Sequence, residues 1–331
     1  MEQRMLARAG LPVSVVGLGT WQLGADWGDV SEATAREVLE TSAAEGVTFF
    51  DTADVYGDGR SEQLIGRFLT GHRDDGFTVA TKMGRRAEQV PENYVPANFR
   101  AWVDRSRRNL GVDRLQLVQL HCPPSAVIDS DATYDALDAL VADGSIASYG
   151  VSVETAAQAL SAIARPHVAS VQIILNAFRL KPLDDVLPAA SEAGVGIIAR
   201  VPLASGLLSG RYDASTTFAP DDHRTYNRDG SAFDVGETFS GVDYETGLAA
   251  AKEFAELCAS DGPSGVSPAQ AAIAWAWQLP GVTTVIPGAR NPAQARSNAA
   301  AGRVGPLSAG FNDGVARIYD RHFRADIHRR W

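Results

Sequence analysis

Short apolar segments return along this 331-residue chain roughly every 25–40 residues, and most are followed by a helical pattern. The segments read as strands are Val15–Thr20, Val47–Ala53, Phe77–Lys82, Leu115–His121, Ile146–Ser152, Val168–Leu175, Val195–Val201 and Thr283–Gly288. Parallel neighbours need a long crossover between them, usually a helix, whereas antiparallel neighbours can be joined by a two-residue turn. Eight such units therefore predict an α/β fold, a closed (β/α)₈ TIM barrel spanning residues 1–331 as one domain. In that architecture the active site forms at the C-terminal ends of the strands. Residues 1–14 precede the first strand and hold the turn Ala9-Gly10-Leu11-Pro12. They are expected to form a β-hairpin that plugs the barrel bottom.

The helices carry boundary signals. Ser31 is placed to cap a helix reaching Ala44, with Gly46 beyond its end, and Ser61 to cap a helix whose Leu64, Ile65, Phe68 and Leu69 share one face. Ser267-Pro268 opens another helix that Pro280-Gly281 closes, with Trp275 and Trp277 read as packing residues. The longest irregular stretch, about 205–243, has no clear period and reads as a lid or binding element, or as disorder.

A formal net charge of −10 and a pI near 5.1 argue against nucleic acid and anionic membrane as partners. The local runs Arg105-Ser106-Arg107-Arg108 and Arg85-Arg86 read as solvated helix faces and loop charges. Two cysteines, Cys122 and Cys258, without metal-ligand spacing make a zinc site or disulfide framework an unsuitable reading. The N-terminal residues lack the apolar core of a signal peptide, and no window approaches the ~20 apolar residues of a membrane span. The expectation is a soluble, cytoplasmic protein; the oligomeric state is left open.

Four polar or ionisable residues stand at or just past strand ends. Asp51 and Tyr56 lie in Phe-Phe-Asp-Thr-Ala-Asp-Val-Tyr-Gly, Lys82 ends Val-Ala-Thr-Lys, and His121 ends Val-Gln-Leu-His. Any one of them alone reads as a buried salt bridge or a satisfied histidine. Four on three consecutive strands read as a site, because perturbed ionisable groups cluster there. The combination suits carbonyl reduction, which needs hydride at carbon and a proton at oxygen. A free tyrosine titrates near pH ~10. A nearby ammonium favours its phenolate, and a carboxylate keeps that ammonium charged and aimed. An imidazole alongside can orient the carbonyl.

The tetrad Asp51, Tyr56, Lys82 and His121 resembles that of the aldo-keto reductase superfamily. So do the words Val-Gly-Leu-Gly-Thr-Trp (16–21), Asp-Thr-Ala-Asp-Val-Tyr-Gly with Ser61-Glu62, Asp-Arg-Leu-Gln-Leu-Val-Gln-Leu-His (113–121), Gly-Val-Ser (150–152) and Ile-Pro-Gly (286–288). The resemblance implies a TIM barrel, a nicotinamide cofactor and direct hydride transfer without metal or flavin. It makes Tyr56 the general acid, and Trp21, Tyr56 and His121 substrate-facing residues. Gly17-x-Gly19 is not a Rossmann fingerprint, since Gln22 stands where the third glycine would be.

For the cofactor, the resemblance places Gly19, Thr20, Trp21 and Asp51 along it and gives Ser152 and Gln172 the nicotinamide carboxamide. Val153 replaces the asparagine often found after that serine; Asn176 either fills the gap or shapes a turn. Arg200 stands where many relatives stack an aromatic ring on the nicotinamide, and reads equally as a stacked guanidinium or as a salt bridge to a barrel carboxylate. Leu203, Ser205, Gly206 and Leu208 match the segment that covers the pyrophosphate. Gly288, Arg290, Gln294 and Asn298 match the adenosine end, where Asn291 and Pro292 can open a helix towards an anion. Arg290 is read as a 2′-phosphate contact or else as an exposed loop charge. Gln294 replaces a frequent second arginine, and Ser297 a frequent glutamate. NADPH/NADP⁺ is the expected cofactor, with NADH/NAD⁺ as the alternative.

The substrate expected is a small carbonyl compound, sugar or polyol; Trp27, Cys122 and Phe178 serve either as pocket walls or as core. A cofactor-bound redox-sensing regulatory subunit with little turnover is the second reading. A lyase or aldolase using Lys82 as a Schiff base is the third, and Asp51 and Tyr56 at their spacing weigh against it.

Overall fold

The computed structural model describes residues 1–24, 30–72, 75–220, 222–232 and 234–331. Strands β1 (Gln3–Leu6) and β2 (Leu11–Ser14) form an antiparallel hairpin. Eight parallel strands follow: β3 (Leu18–Gly19), β4 (Phe49–Asp51), β5 (Thr78–Met83), β6 (Leu115–His121), β7 (Ile146–Ser152), β8 (Val168–Ile174), β9 (Gly196–Arg200) and β10 (Val282–Val285). Each pairs with its sequence neighbour from β3 to β10. Parallel bridges Val16–Val285 and Gly19–Gly288, with Gly17 N–H donating to Val285 O at 2.8 Å, close the sheet into a barrel. Closure removes both sheet edges.

Helices α1 (Glu32–Ala44), α2 (Arg60–Thr70), α3 (Pro96–Leu110), α4 (Ser125–Ile128), α5 (Asp131–Ala142), α6 (Ala156–Ile163) and α7 (Val186–Ala193) fill the crossovers as far as β9. Beyond β9 come the short α8 (His223–Tyr226), then α9 (Tyr244–Asp261) and α10 (Pro268–Gln278). α11 (Pro292–Ala300), α12 (Ala309–His322) and α13 (Arg324–Ile327) follow β10. The caps at Ser31, Ser267 and Asn291 are present, each side-chain oxygen accepting from the N–H three residues on. Ser61 is not a cap. Gly59 (φ 94°) opens α2, and the Ser61 hydroxyl turns inward to Thr20 and Thr52, tying α2 to the loops after β3 and β4.

The period of two along each strand explains how the barrel sets up its mouth. Phe49, Ala80, Leu117 and Ile198 pack with Leu6 and Val13 of the hairpin in one inner cluster, which is the plug predicted for residues 1–14. Two residues further along the same strands stand Asp51, Lys82, Gln119 and Arg200. Apolar side chains thus seal the bottom, and the next inward layer is polar. The stretch about 205–243 is irregular, as expected, with short helical turns at Ala204–Ser209, α8, Val235–Glu237 and Phe239–Gly241.

Helix α2 packs on the end of α3 with almost no clearance. A Cβ at Gly66 would meet the carbonyl oxygens of Asn109 and Leu110 at 2.7 and 2.8 Å. Alanine raises helix propensity by about 1 kcal/mol, whereas forced overpacking costs about 1–3 kcal/mol. Because the obstacle here is backbone, Gly66→Ala is expected to lower stability by about 1 kcal/mol or more in denaturant unfolding. Equal or greater stability would contradict this packing.

Candidate active site

The centre of the barrel mouth is an ion pair removed from water. Lys82 Nζ donates to Asp51 Oδ1 at 2.5 Å, to the Thr52 carbonyl at 2.8 Å and to the Tyr56 hydroxyl at 3.4 Å. Asp51 Oδ2 accepts from Gln119 Nε2 at 3.1 Å and Gln172 Nε2 at 2.8 Å. Both carboxylate oxygens are therefore occupied, which holds the charge in place in a region where an unpaired one would be costly. Burial works against the Lys82 ammonium, but Asp51 and the adjoining phenol hold its pKa above the ordinary lysine value.

Tyr56 arrives on a tight turn after β4. Gly57 adopts φ 57°, and a Cβ there would lie 2.2 Å from the Gly24 carbonyl oxygen. Only glycine allows the two backbones to meet so closely. The Tyr56 ring stacks near Trp21, centroids 5.9 Å apart at 18°, and stands edge-on to His121 at 5.9 Å. Burial raises the Tyr56 pKa; Lys82 pulls it down, while Asp51 and Glu237 push it up again. The ammonium thus acts in the direction expected from the sequence but does not prevail, and Tyr56 is a phenol at neutral pH. Burial, followed by the charges of Arg85, Lys82 and Arg200, holds the His121 pKa well below the usual histidine value. The imidazole is neutral there, and its Nδ1 is buried without a hydrogen-bond partner among the described residues.

These groups open onto a cavity of about 570 Å³ that runs from the tetrad to the start of α11. At the inner end Gly19, Thr20, Trp21, Asp51, Tyr56 and His121 line it, with Ser152, Gln172 and Arg200 on the next wall. Leu203, Ser205 and Gly206 line its flank, and Gly288, Arg290, Gln294 and Asn298 its outer end. Lys82 lies beneath the wall, and Leu208 is buried in the core. The Ser205 hydroxyl donates to the Glu237 carbonyl and accepts from Phe239 N–H, so it fastens the irregular loop to the cavity wall. At the outer end Gln294 Oε1 accepts Arg290 N–H at 2.8 Å, and the Asn298 amide donates to the Gly288 carbonyl at 3.0 Å.

Several sequence expectations change. Arg200 takes the salt-bridge option: it pairs with Glu154 at 2.9 Å and with Glu237, and donates to the Val153 carbonyl. Asn176 shapes a turn instead of reaching the cavity, its amide bonding Val201 O and Phe178 N–H. Phe178 is core, against Phe254 and Phe323, while Cys122 does line the cavity. Burial pushes the Cys122 thiol up to about 12, so it is unreactive at neutral pH. Trp27 lies outside the described residues. Arg85 is not a solvated loop charge: it lines the cavity, and its Nη2 reaches Glu154 Oε1 at 3.3 Å. Arg86 and Arg105 both pair with Asp58.

Sequence reading missed the Arg85–Glu154–Arg200–Glu237 cluster, whose members come from four separate segments. It also missed Gln119 as a second amide on Asp51, although Gln119 stands two residues before His121 on the same inward face. Asp54, inside the strand-end motif, is fully buried with neither carboxylate oxygen partnered among the described residues. Burial and neighbouring Glu62 raise its pKa to about 7. Among the described residues no group of three or more His, Cys, Asp or Glu side chains is placed to hold a metal, and no helix is long and apolar enough to cross a membrane.

This architecture matches proteins already known. An uncharacterized oxidoreductase of Mycobacterium tuberculosis is 34% identical over 310 residues, covering 92% of this chain and 88% of its own. The solved glycerol dehydrogenase of Gluconobacter oxydans superposes with a TM-score of 0.78 at 30% identity, covering 97% of this chain and 96% of that one. An aldo-keto reductase of Klebsiella pneumoniae, solved in complex with NADPH, shares the fold with a TM-score of 0.70 at 24% identity, covering 96% of each chain. The Aldo/keto reductase family model matches residues 15–320. With its closed eight-stranded barrel and capping hairpin, this chain belongs to the aldo/keto reductase family of oxidoreductases.

Proposed function

We propose that the protein transfers hydride between NADP(H) and a small carbonyl or alcohol substrate, with Tyr56 as the proton donor and acceptor. The observation that carries this reading is the Asp51–Lys82–Tyr56 chain of contacts opening, beside a neutral His121, into a cavity that reaches the N-terminus of α11. The cavity volume falls within the range of small-molecule sites, about 300–1,000 Å³. Its polar inner wall at Ser152 and Gln172 suits a carboxamide, and Arg290 beside the α11 N-terminus suits a phosphate. Gln22 Oε1 is buried there without a partner among the described residues, and a Cβ at Gly288 would strike that amide, so the wall is built for close approach.

When bound, the nicotinamide ring would supply the hydride. The protein residues handle the oxygen and the proton. Tyr56, protonated at neutral pH, donates its proton to the developing alkoxide. Lys82 is aimed at the phenolic oxygen and stabilises the phenolate that forms. Asp51, held by three donors, keeps Lys82 charged. His121, neutral, offers a hydrogen bond to the carbonyl oxygen without adding a positive charge. In the reverse direction the same phenolate accepts the alcohol proton. Arg200, held by Glu154 and Glu237, lines the inner end of the cavity.

Tyr56→Phe is expected to bind NADPH with near wild-type affinity and to lose carbonyl reduction by about 10²–10⁴-fold. Wild-type kcat in that variant would remove Tyr56 from the mechanism. A redox-sensing protein would instead bind NADPH and show negligible turnover in the wild type across an aldehyde panel.

Lys82→Met tests the ammonium through pH. Reduction needs the phenol, so its rate falls as pH rises through the Tyr56 pKa. Lys82 lowers that pKa, and its removal is expected to move the alkaline limb of the residual activity to higher pH. Breaking a buried pair costs about 3–5 kcal/mol, so the shift is read in protein shown to be folded by circular dichroism. An unchanged limb would make Lys82 structural only.

For cofactor choice, a charge-assisted hydrogen bond contributes about 1.5–3 kcal/mol, or about tenfold and more in affinity. Arg290→Ala is therefore expected to reduce the preference for NADPH over NADH by about that factor, measured as two dissociation constants in each protein. Equal discrimination in both proteins clears Arg290, and tighter NADH binding by the wild type rejects NADP(H).

A further inference from the structure

We propose that the physiological substrates are carbonyl compounds carrying a carboxylate, and that Arg85 receives that carboxylate. The proposal rests on the oxidoreductase reading above and narrows its substrate class.

Two arginines face the inner end of the cavity, and their surroundings differ. Arg200 is buried, with 8% of its side chain exposed, and is held by both Glu154 and Glu237 as well as a backbone carbonyl. Arg85 is 22% exposed, and its carboxylate contact is Glu154 Oε1 at 3.3 Å. The other oxygen of Glu154 is drawn to Arg200 at 2.9 Å. The Arg85 Nε is buried and lacks a hydrogen-bond partner among the described residues. Arg200 likewise has an unpartnered Nε among the described residues, so the difference between the two lies in exposure and pairing: Arg85 keeps part of its side chain open and meets one carboxylate, whereas Arg200 is enclosed and held by two.

Its position is suited to the reacting carbonyl. Arg85 follows Lys82 by three residues and lines the cavity with Tyr56, His121 and Cys122. The guanidinium acts on the His121 ring strongly enough to help hold it neutral. A substrate with its carbonyl oxygen between Tyr56 and His121 would thus find a cation beside it. The planar fork of arginine matches a carboxylate with two parallel hydrogen bonds. A carboxylate is favoured over a phosphate on geometry: its two oxygens match the planar fork of Arg85, and the adjoining Glu154 carboxylate would repel a dianion more strongly than a monoanion.

The test compares matched aldehydes with saturating NADPH. Succinic semialdehyde and 4-carboxybenzaldehyde are measured against their methyl esters, which have nearly the same shape without the charge. Wild type is expected to favour each acid over its ester about tenfold or more in kcat/KM, expressed mainly in KM. In Arg85→Gln the acid-to-ester ratio is expected to fall close to one, and in Arg85→Lys, which keeps the charge but loses the fork, to an intermediate value. NADPH titration of each variant checks that its site is intact. Equal use of acid and ester by the wild type would overturn the proposal and leave the oxidoreductase reading standing. So would a parallel loss of both in Arg85→Gln. A preference for glyceraldehyde 3-phosphate over both acids would overturn the carboxylate assignment. Cofactor binding without turnover of any aldehyde would remove the oxidoreductase reading and this proposal together.

Discussion

The buried contact between Lys82 and Asp51 governs the chemistry available at this barrel mouth. A lysine ammonium taken out of water is unfavourable unless a counter-charge and further hydrogen bonds replace its hydration. Here one carboxylate oxygen meets the ammonium, and two amides, from Gln119 and Gln172, hold the other. Four strands thus supply parts of one electrostatic unit. The consequence for Tyr56 is directional: burial leaves it a phenol at rest while Lys82 pulls its pKa down, so in the proposed reaction the ammonium stabilises the phenolate once the proton has gone. Burial, followed by the charges of Arg85, Lys82 and Arg200, keeps His121 neutral, so in the proposed reaction one cation serves the oxygen and not two.

The barrel provides this precision because its strands alternate. Asp51, Lys82, Gln119 and Arg200 each stand two residues past an apolar residue of the floor, and the hairpin closes that floor from below. Moving a strand by one residue would turn the polar layer outward into the helices. Mutations in the floor are therefore expected to act on the site through register. Substitutions in the irregular loop act differently, since Ser205 and Glu237 connect that loop to the cavity wall through a few polar contacts.

What the sequence made legible follows from the range of the interactions involved. The eight strands and most helix starts could be read because apolar runs and cap residues act locally. Asp51, Tyr56, Lys82 and His121 could be read because strand ends announce where a polar group emerges. Ser61 misled because a serine near a helix start is ordinarily a cap, and only the inward turn towards Thr20 and Thr52 shows otherwise. Arg85 misled for a similar reason: paired arginines in a loop look solvated until Glu154, 69 residues away in the chain, is brought beside them. The role of Arg200 stayed open in sequence because its partners, Glu154 and Glu237, lie 46 and 37 residues distant. The balance at Tyr56 also lay beyond reach, since it sets burial against several charges at once.

Hydride transfer onto a carbonyl carbon at this mouth is the step on which the proposed function rests. It is tested most directly by incubating the protein with NADPH deuterated at both C4 positions of the nicotinamide and an aldehyde, then analysing the alcohol by mass spectrometry. One deuterium bonded to the former carbonyl carbon, formed by the wild type and lost with Tyr56→Phe, is the result predicted. Unlabelled alcohol, or no alcohol from protein that demonstrably binds the cofactor, would contradict it.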